Sequence, residues 1–515
     1  MATQWQTFPI EFKGGLISNL SALQQGTNAV GSATLLQNFE VNKQGGYTKI
    51  NGYEKFSDTL VPGSGAVLGL KVVSSGRAVV ARKNASNLTE YYYGTGTAWT
   101  SMATSSATNG GKARHVSFNL DGDDKVVFVD GTNYPVVYNT SGNTATFMTS
   151  ADSADVLGAE HVAFFKNTAF YAKENNVFFT APFSIDDFSP ANGAGSLNVG
   201  QQVTGLTVFR DQLIIFTTNT IKRLTGNTAA DFQISPITDR IGCLDGDTIQ
   251  EVGGDIMYLA PDGIRLLSAT DRIGDFGLDV ASDKIAKDSN AFLNNYNSFS
   301  SVLFREKAQY RIFGYVASEQ STVAKGLIAT KFISQGSSGI AWSSTFGIKA
   351  FVSDSTYSGD QETIAFANED GYIYILDTGS SFDGNNIEAI YESPFMPISD
   401  PQVRKSFYKM TLYSQPQGTM ALDVNLKYDF ASSTSTAVVQ PPTFTVESVG
   451  DSVFIFGETN SIFNTATFGG ELDNVYNKNI IGSGKTVALR IEDNSTNPSF
   501  TLDTVLLEFK QNDRQ

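Results

Sequence analysis

The chain has 515 residues, of which 41% are hydrophobic and 12% aromatic, and it carries a formal net charge of −16. The apolar content is far above that of a disordered chain, and the length exceeds one ordinary core, so several domains or a large closed ring are expected. An acidic surface repels phosphate, which argues against a protein that grips nucleic acid over a broad basic footprint but not against one that lets DNA pass.

Forty-seven glycines and only 17% charged residues fit a turn-rich all-β protein. The single cysteine, Cys243, leaves no intrachain disulfide framework and no multi-cysteine metal site. The opening MATQWQTFPIEFKGG lacks the charged and apolar regions of a signal peptide, and no run approaches the roughly 20 apolar residues of a membrane span. Synthesis and folding in a cytoplasm are expected.

Residues 1–64 are rich in Gly, Asn, Gln and Ser with isolated apolar positions, a composition that builds no core of its own. They read as an N-terminal arm and docking segment that lies along something else. Within them LLQNFEV and GGYTKINGYEKF look like a strand pair joined across Asn42–Gly46.

From residue 65 to 389 one phrase recurs: apolar strand, tight polar turn, apolar strand. The clearest copy is LTVFRDQLIIFTTNTIKRL at Leu206–Leu224; others begin at His161 and Ile249. The most apolar strand of each copy follows a turn at Gly76, Asp124, Thr168, Gln212, Asp255, Ala308 and Glu362, spaced 48, 44, 44, 43, 53 and 54 residues apart. That period is the one expected for β-propeller blades, which bury both faces only when stacked in a ring. A propeller of about six to eight blades is predicted, in preference to an array of β-sandwiches, each of which would need two such units. The pattern breaks near 275–299, where Leu278, Ile285 and Phe292 share a seven-residue spacing behind a potential cap at Asp275. A short helix with an Asn-rich loop is expected there as an insert.

Residues 390–515 begin with an extended, Pro-containing stretch (Pro394, Pro397, Pro401) and continue as alternating strands, suggesting a C-terminal β-sandwich-like domain. Its long loops at Ala431–Pro442 and Thr459–Asn479 are candidate contact surfaces.

No catalytic, cofactor-binding or metal-binding residue is assigned from the sequence, and the chain is expected not to be an enzyme. The two histidines, His115 and His161, adjoin apolar strand positions and read as structural, and Cys243 reads as a packing residue. The phosphate-loop, zinc-protease, dinucleotide and nucleophile-elbow motifs are missing. Acidic clusters at Leu120–Lys125, Leu244–Asp247 and Asn368–Gly371 each precede a strand, so hairpin-turn duty accounts for them, and none has the ligand pattern of an EF-hand. Sialidase-type Asp-boxes are missing too, and Trp5, Trp99 and Trp342 form no sugar-stacking array by spacing.

The pieces GGL, LLQNFEV and GGYTKINGYEKF, and above all DRIGCLDGDTIQEVGGDIMYLAPDGIRLLSATDRIGDFGLDVASDKI at Asp239–Ile285, resemble tail nozzle proteins of short-tailed bacteriophages, the tail tubular protein B and packaged-DNA stabilisation protein groups. The resemblance covers about residues 10–380. It implies a structural virion protein of the phage tail, assembled in the host cytoplasm as a homohexamer with a propeller in each subunit. Such a tube sits below the tail adaptor ring, adjoins tail fibres or a tail needle, retains packaged double-stranded DNA without reading its sequence, and opens for ejection. Six copies would carry a charge of about −100, and a partly acidic lumen would repel the DNA backbone and prevent stalling. The other reading is a propeller-type surface protein that binds glycans or proteins.

Overall fold

The alternating segments become strands wherever an apolar run is bounded by residues that tolerate a left-handed backbone. Two hairpins show the rule: Lys166–Asn167 (φ 50° and 60°) and Arg210–Asp211 (φ 47° and 64°) form two-residue turns whose twist matches that of the strands they join. The structure is a computed structural model that describes residues 5–74, 76–105, 110–120, 122–149, 154–268, 280–334, 337–358, 361–431, 440–448 and 474–512.

Among these residues the chain is all-β and its central part is a β-propeller. Seven groups of antiparallel strands follow one another, at 64–104, 114–147, 161–198, 203–238, 250–266, 298–346 and 352–376. Each turn marked in the sequence lies within one residue of the start of the second strand of a group, from Arg77–Lys83 to Gln361–Ala367. Six groups are separate blade sheets. The group at 298–346 fills the remaining sector and runs on into a larger sheet. Stacking is visible in strand Gln212–Thr217: Leu213 and Ile215 pack towards Phe170 and Val177 of the preceding blade, while Ile214 and Phe216 pack with Ile256 and Tyr258 of the next. Successive side chains point to opposite faces, so a blade buried on both sides needs an unbroken apolar run.

The ring is closed by the N-terminal segment. Strand Tyr53–Lys55 pairs antiparallel with Ile373–Leu376 and supplies the fourth strand of the last blade, immediately before the first blade begins at Ser64. Tyr53 stacks on Phe382 with centroids 4.9 Å apart and meets Phe366 and Tyr374 edge-on.

Two sheets form the C-terminal sandwich. One contains Leu35–Gln37, Ile387–Glu392, Val487–Ser495, Ala421–Tyr428 and Phe444–Glu447. This sheet is the continuation of the 298–346 blade: Leu35–Gln37 lies parallel to Ser337–Phe346 and antiparallel to Ile387–Glu392, so nine strands form one ladder. The other sheet joins Phe39–Val41, Tyr47–Lys49, Phe500–Gln511, Lys405–Pro416 and Val475–Asn479, with Gln6–Glu11 on Phe500–Gln511. Ile10, Phe12, Leu36, Phe39 and Tyr47 are buried in the core between them.

The N-terminal segment therefore differs from its expectation as a docking arm. The hairpin across 42–46 is present, pairing Phe39–Val41 with Tyr47–Lys49. But the segment is consumed inside its own chain, because its isolated apolar residues complete a core built by strands more than 300 residues away. The structural units accordingly cross the sequence boundaries: the propeller takes 53–55 and 64–376, and the sandwich takes 6–49 and begins its later part at Ile387. In the insert, a helix spans Ala286–Asn295 with Phe292 buried, and Ile285 is buried in the turn before it. Asp275 and Leu278 lie outside the described residues, and the insert ends at Asn297, since Ser298–Phe304 is already an inner blade strand. Much of the two C-terminal loops also lies outside the described residues.

Candidate functional site

The innermost strands of the sectors run side by side around the propeller axis and enclose a cavity of about 270 Å³. Every sector contributes to its wall: Leu70, Arg114, His161, Thr207, Gln250, Ser301 and Asp354 come from successive inner strands. Blade geometry makes this the place where residues remote in sequence converge, because each blade sends one strand to the axis.

The wall is unusually charged for so small a space. Arg114, in the second sector, forms a two-pronged pair with Asp247, in the turn before the fifth, with Nε–Oδ1 at 2.6 Å and Nη2–Oδ2 at 3.1 Å. The Lys112 ammonium adds a contact to Asp247 Oδ2 at 3.1 Å and donates to the Phe299 carbonyl at 2.6 Å. On the other side Asp354 accepts from Lys71 Nζ at 3.1 Å and from the Val72 amide at 2.7 Å, and its Oδ1 lies 3.5 Å from His115 Nε2.

These partners set the protonation states. Burial opposes charge on Asp247, yet Arg114 and Lys112 hold its carboxyl well below the usual carboxylate range. The same competition, with Lys71 and His115 outweighing burial, holds Asp354 low. Asp245 is pushed up, by burial first and then by the negative charge of Asp247. Burial, reinforced by the Arg114 cation, pushes the His161 imidazole down to about 3, so it is neutral.

His161 differs from its neighbours in one respect. It is 7% exposed and lines the cavity, and among the described residues no hydrogen bond engages its imidazole. Gly246 permits its position, since a Cβ there would stand 3.0 Å from His161 Cε1 and collide with the Thr204 carbonyl.

Both histidines thus sit at the axis, a placement that the sequence did not reveal. The Leu244–Asp247 cluster is corrected in the same way. It is not a hairpin turn: Asp245 caps the single helical turn Gly246–Thr248, and that turn presents Asp247 to Arg114. The Asn368–Gly371 cluster does shape a turn, where Asp370 accepts from the Tyr372 amide and the Tyr374 hydroxyl. Asp123 and Asp124 sit at the hairpin between Arg114–Leu120 and Asp123–Val129. Cys243 is fully buried between blades, its thiol pushed up to about 12 by burial. The tryptophans are scattered: Trp342 is buried and donates to the Ala281 carbonyl, Trp99 donates to the Thr59 carbonyl, and Trp5 is exposed against Tyr408. Among the described residues no group of three or more potential ligands is arranged for a metal ion, and no helix is long and apolar enough to cross a membrane.

No family model and no curated protein matches the chain. Among solved structures it is similar to the extracellular domain of a hybrid two component system protein from B. thetaiotaomicron, with TM-score 0.38 and 11% identity over 65% of this chain and 44% of that one. It is also similar to the extracellular domain of a one component system protein from the same organism, with TM-score 0.38 and 11% identity over 70% and 43%. A third is the Pan2 WD40 domain of Neurospora crassa, with TM-score 0.35 and 9% identity over 64% and 96%. The chain spans less than half the length of the first two, and its fold is read from its own sheets rather than from these likenesses.

Proposed function

We propose that the chain works by contact rather than by chemistry: it is a rigid propeller module that presents binding surfaces. The observation that carries this reading is the fusion of its two units. One ladder of nine strands runs from a propeller blade into the sandwich, and the N-terminal segment closes the ring and enters both sandwich sheets. A body built this way bears load and holds its surfaces in fixed relation.

In its most specific form the proposal is a tail nozzle subunit of a short-tailed phage. The resemblance of Asp239–Ile285 supports it, as does the charge of −16, which suits a lumen that lets DNA slide past. Homohexamer, adaptor ring, fibres or needle, and location in the virion all belong to this proposal. Since residues 6–55 are used within the chain, contacts with other subunits would fall on the outer sandwich face, the blade rims and the loops. Light scattering and electron microscopy of the purified chain, alone and with the adaptor, test it. Sixfold rings are expected; a chain that stays monomeric with the adaptor present overturns it.

The second reading is a propeller-type surface protein that binds glycans or proteins, favoured by the axial cavity and the neutral His161 imidazole on its wall.

A further inference from the structure

The axial cavity has a property that selects among ligands. The charges on and just behind its wall are balanced: Arg114 and Lys112 face Asp247, with Asp245 3.8 Å from Arg114, and Lys71 faces Asp354 beside His115. A ligand with net charge would bring an uncompensated charge into a space that has none to offer, at a cost of desolvation. A neutral ligand meets no such obstacle. A carboxylate has about four lone-pair positions, so Asp247 and Asp354 can accept from hydroxyls while still holding their cations.

Three further observations narrow the class. Neutral His161 lines the cavity, and among the described residues no hydrogen bond engages its imidazole, so its ring nitrogens are available to a ligand there. Thr207 also lines the cavity, and among the described residues no hydrogen bond engages its hydroxyl. Leu70, Leu206 and Phe351 provide apolar patches between the polar groups. The volume, about 270 Å³, lies just under the roughly 300 Å³ at which pockets for drug-sized molecules begin, so a single ring fits and a chain of rings does not.

We propose that the axial cavity is a binding site for one neutral polyhydroxylated ring, a hexose-sized sugar unit, with His161, Thr207, Asp247 and Asp354 as its hydrogen-bonding partners. A pyranose combines hydroxyls around its rim with C–H faces that suit the apolar patches. The site does not require the nozzle reading, since a virion wall subunit and a surface propeller could equally carry it, and ring assembly is measured separately from sugar binding.

Ligand-observed NMR on the full chain tests the proposal, with glucose, galactose, mannose and N-acetylglucosamine as probes and glucuronate and glucosamine as charged controls. At least one neutral sugar is expected to bind with a Kd of about 1 mM or tighter, and the charged analogues at least about tenfold more weakly. His161→Leu, of similar size but without ring nitrogens, should weaken binding about tenfold. Thr207→Tyr, which fills the cavity from a half-buried position, should abolish it; melting temperatures verify that both variants fold. Failure of all four neutral sugars to bind at about 20 mM, a preference for a charged analogue, or undiminished binding in a folded Thr207→Tyr chain would overturn the proposal, leaving ordered water as the occupant.

Discussion

Asn38 and Phe346 hold each other through two hydrogen bonds of 2.8 Å: the Asn38 side-chain amide donates to the Phe346 carbonyl, and the Phe346 amide donates to the Asn38 side-chain oxygen. The side chain thus imitates a strand at the point where the propeller blade meets the sandwich. Its nitrogen also donates to the Glu388 carbonyl at 2.9 Å, and its own backbone takes φ 53°, a conformation asparagine tolerates better than most residues. Asn38→Ala strands three part-buried backbone groups and should cost about 2–3 kcal/mol. Urea denaturation followed by intrinsic fluorescence would register it, and a loss below about 1 kcal/mol would mean that the seam does not depend on this residue.

Lys49 and Asp493 pair at 2.5 Å with only 1% and 2% of their side chains exposed. Lys49 also donates to the Ser495 and Asn497 carbonyls, which fastens an N-terminal strand to the sandwich. Burial lowers the Lys49 pKa while Asp493 opposes that shift. Lys49→Met should cost about 3–5 kcal/mol, because it leaves a buried carboxylate without its cation. Lys49→Met combined with Asp493→Leu should recover most of the loss. A double variant as unstable as the single one would show that the carbonyl contacts, not the ion pair, matter.

Stability should fall on mild acidification. Unfolded His161 takes up a proton below about 6.5, whereas the folded residue refuses it down to about 3. Its folded pKa is depressed, so the associated stability is complete above 6.5 and is lost as pH falls across that window, by about 1.4 kcal/mol per unit. Below about pH 4 protonation of Asp247 and Asp354 adds to the loss, since both are held low in the folded state. Comparing denaturation midpoints at pH 7, 6 and 5 should give a flatter dependence for His161→Leu than for the parent chain, by about one proton. Parallel curves would assign the pH dependence to other groups.

Ring closure should depend on Tyr53. Tyr53→Ala removes a ring that contacts Phe366, Tyr374 and Phe382, and about 3–5 kcal/mol is expected from the loss of a core aromatic. Amide hydrogen exchange would localise the effect, with faster exchange in Gln361–Ala367 and Ile373–Leu376 than in the blade at 161–198. Uniform acceleration around the ring would instead indicate that blades open only together.

Local features were legible in the sequence because their causes are local. Turn residues and period-two alternation lie within ten residues of each other, so the marks from Gly76 to Glu362 each found a blade's second strand. The axial site was not legible. Arg114 and Asp247 are 133 residues apart, and only ring geometry makes them neighbours. His161 sits in an ordinary apolar strand, and nothing in HVAFF distinguishes a residue facing an axis from one facing a blade. The destination of residues 6–55 was equally hidden: their composition showed that they need a partner surface, while the partner strands stand at 373–376, 387–392 and 500–511. A helix was expected from the spacing of Leu278, Ile285 and Phe292, and the observed one, Ala286–Asn295, contains Phe292, follows directly on Ile285 and leaves Leu278 outside the described residues.

The closure by Tyr53–Lys55 also sets an order of events during synthesis. Tyr53–Lys55 leaves the ribosome well before its partner Ile373–Leu376, and Gln6–Glu11 well before its partner Phe500–Gln511. The ring cannot be finished before Ile373–Leu376, nor the sandwich before Phe500–Gln511, has been made, and the earlier strands must wait unpaired. Their richness in Gly, Asn, Gln and Ser, which looked like weakness in a core-forming sense, keeps a waiting segment from sticking to other nascent chains. Residues 6–55 act as a latch that closes only when the strands at 373–376, 387–392 and 500–511 arrive to receive it.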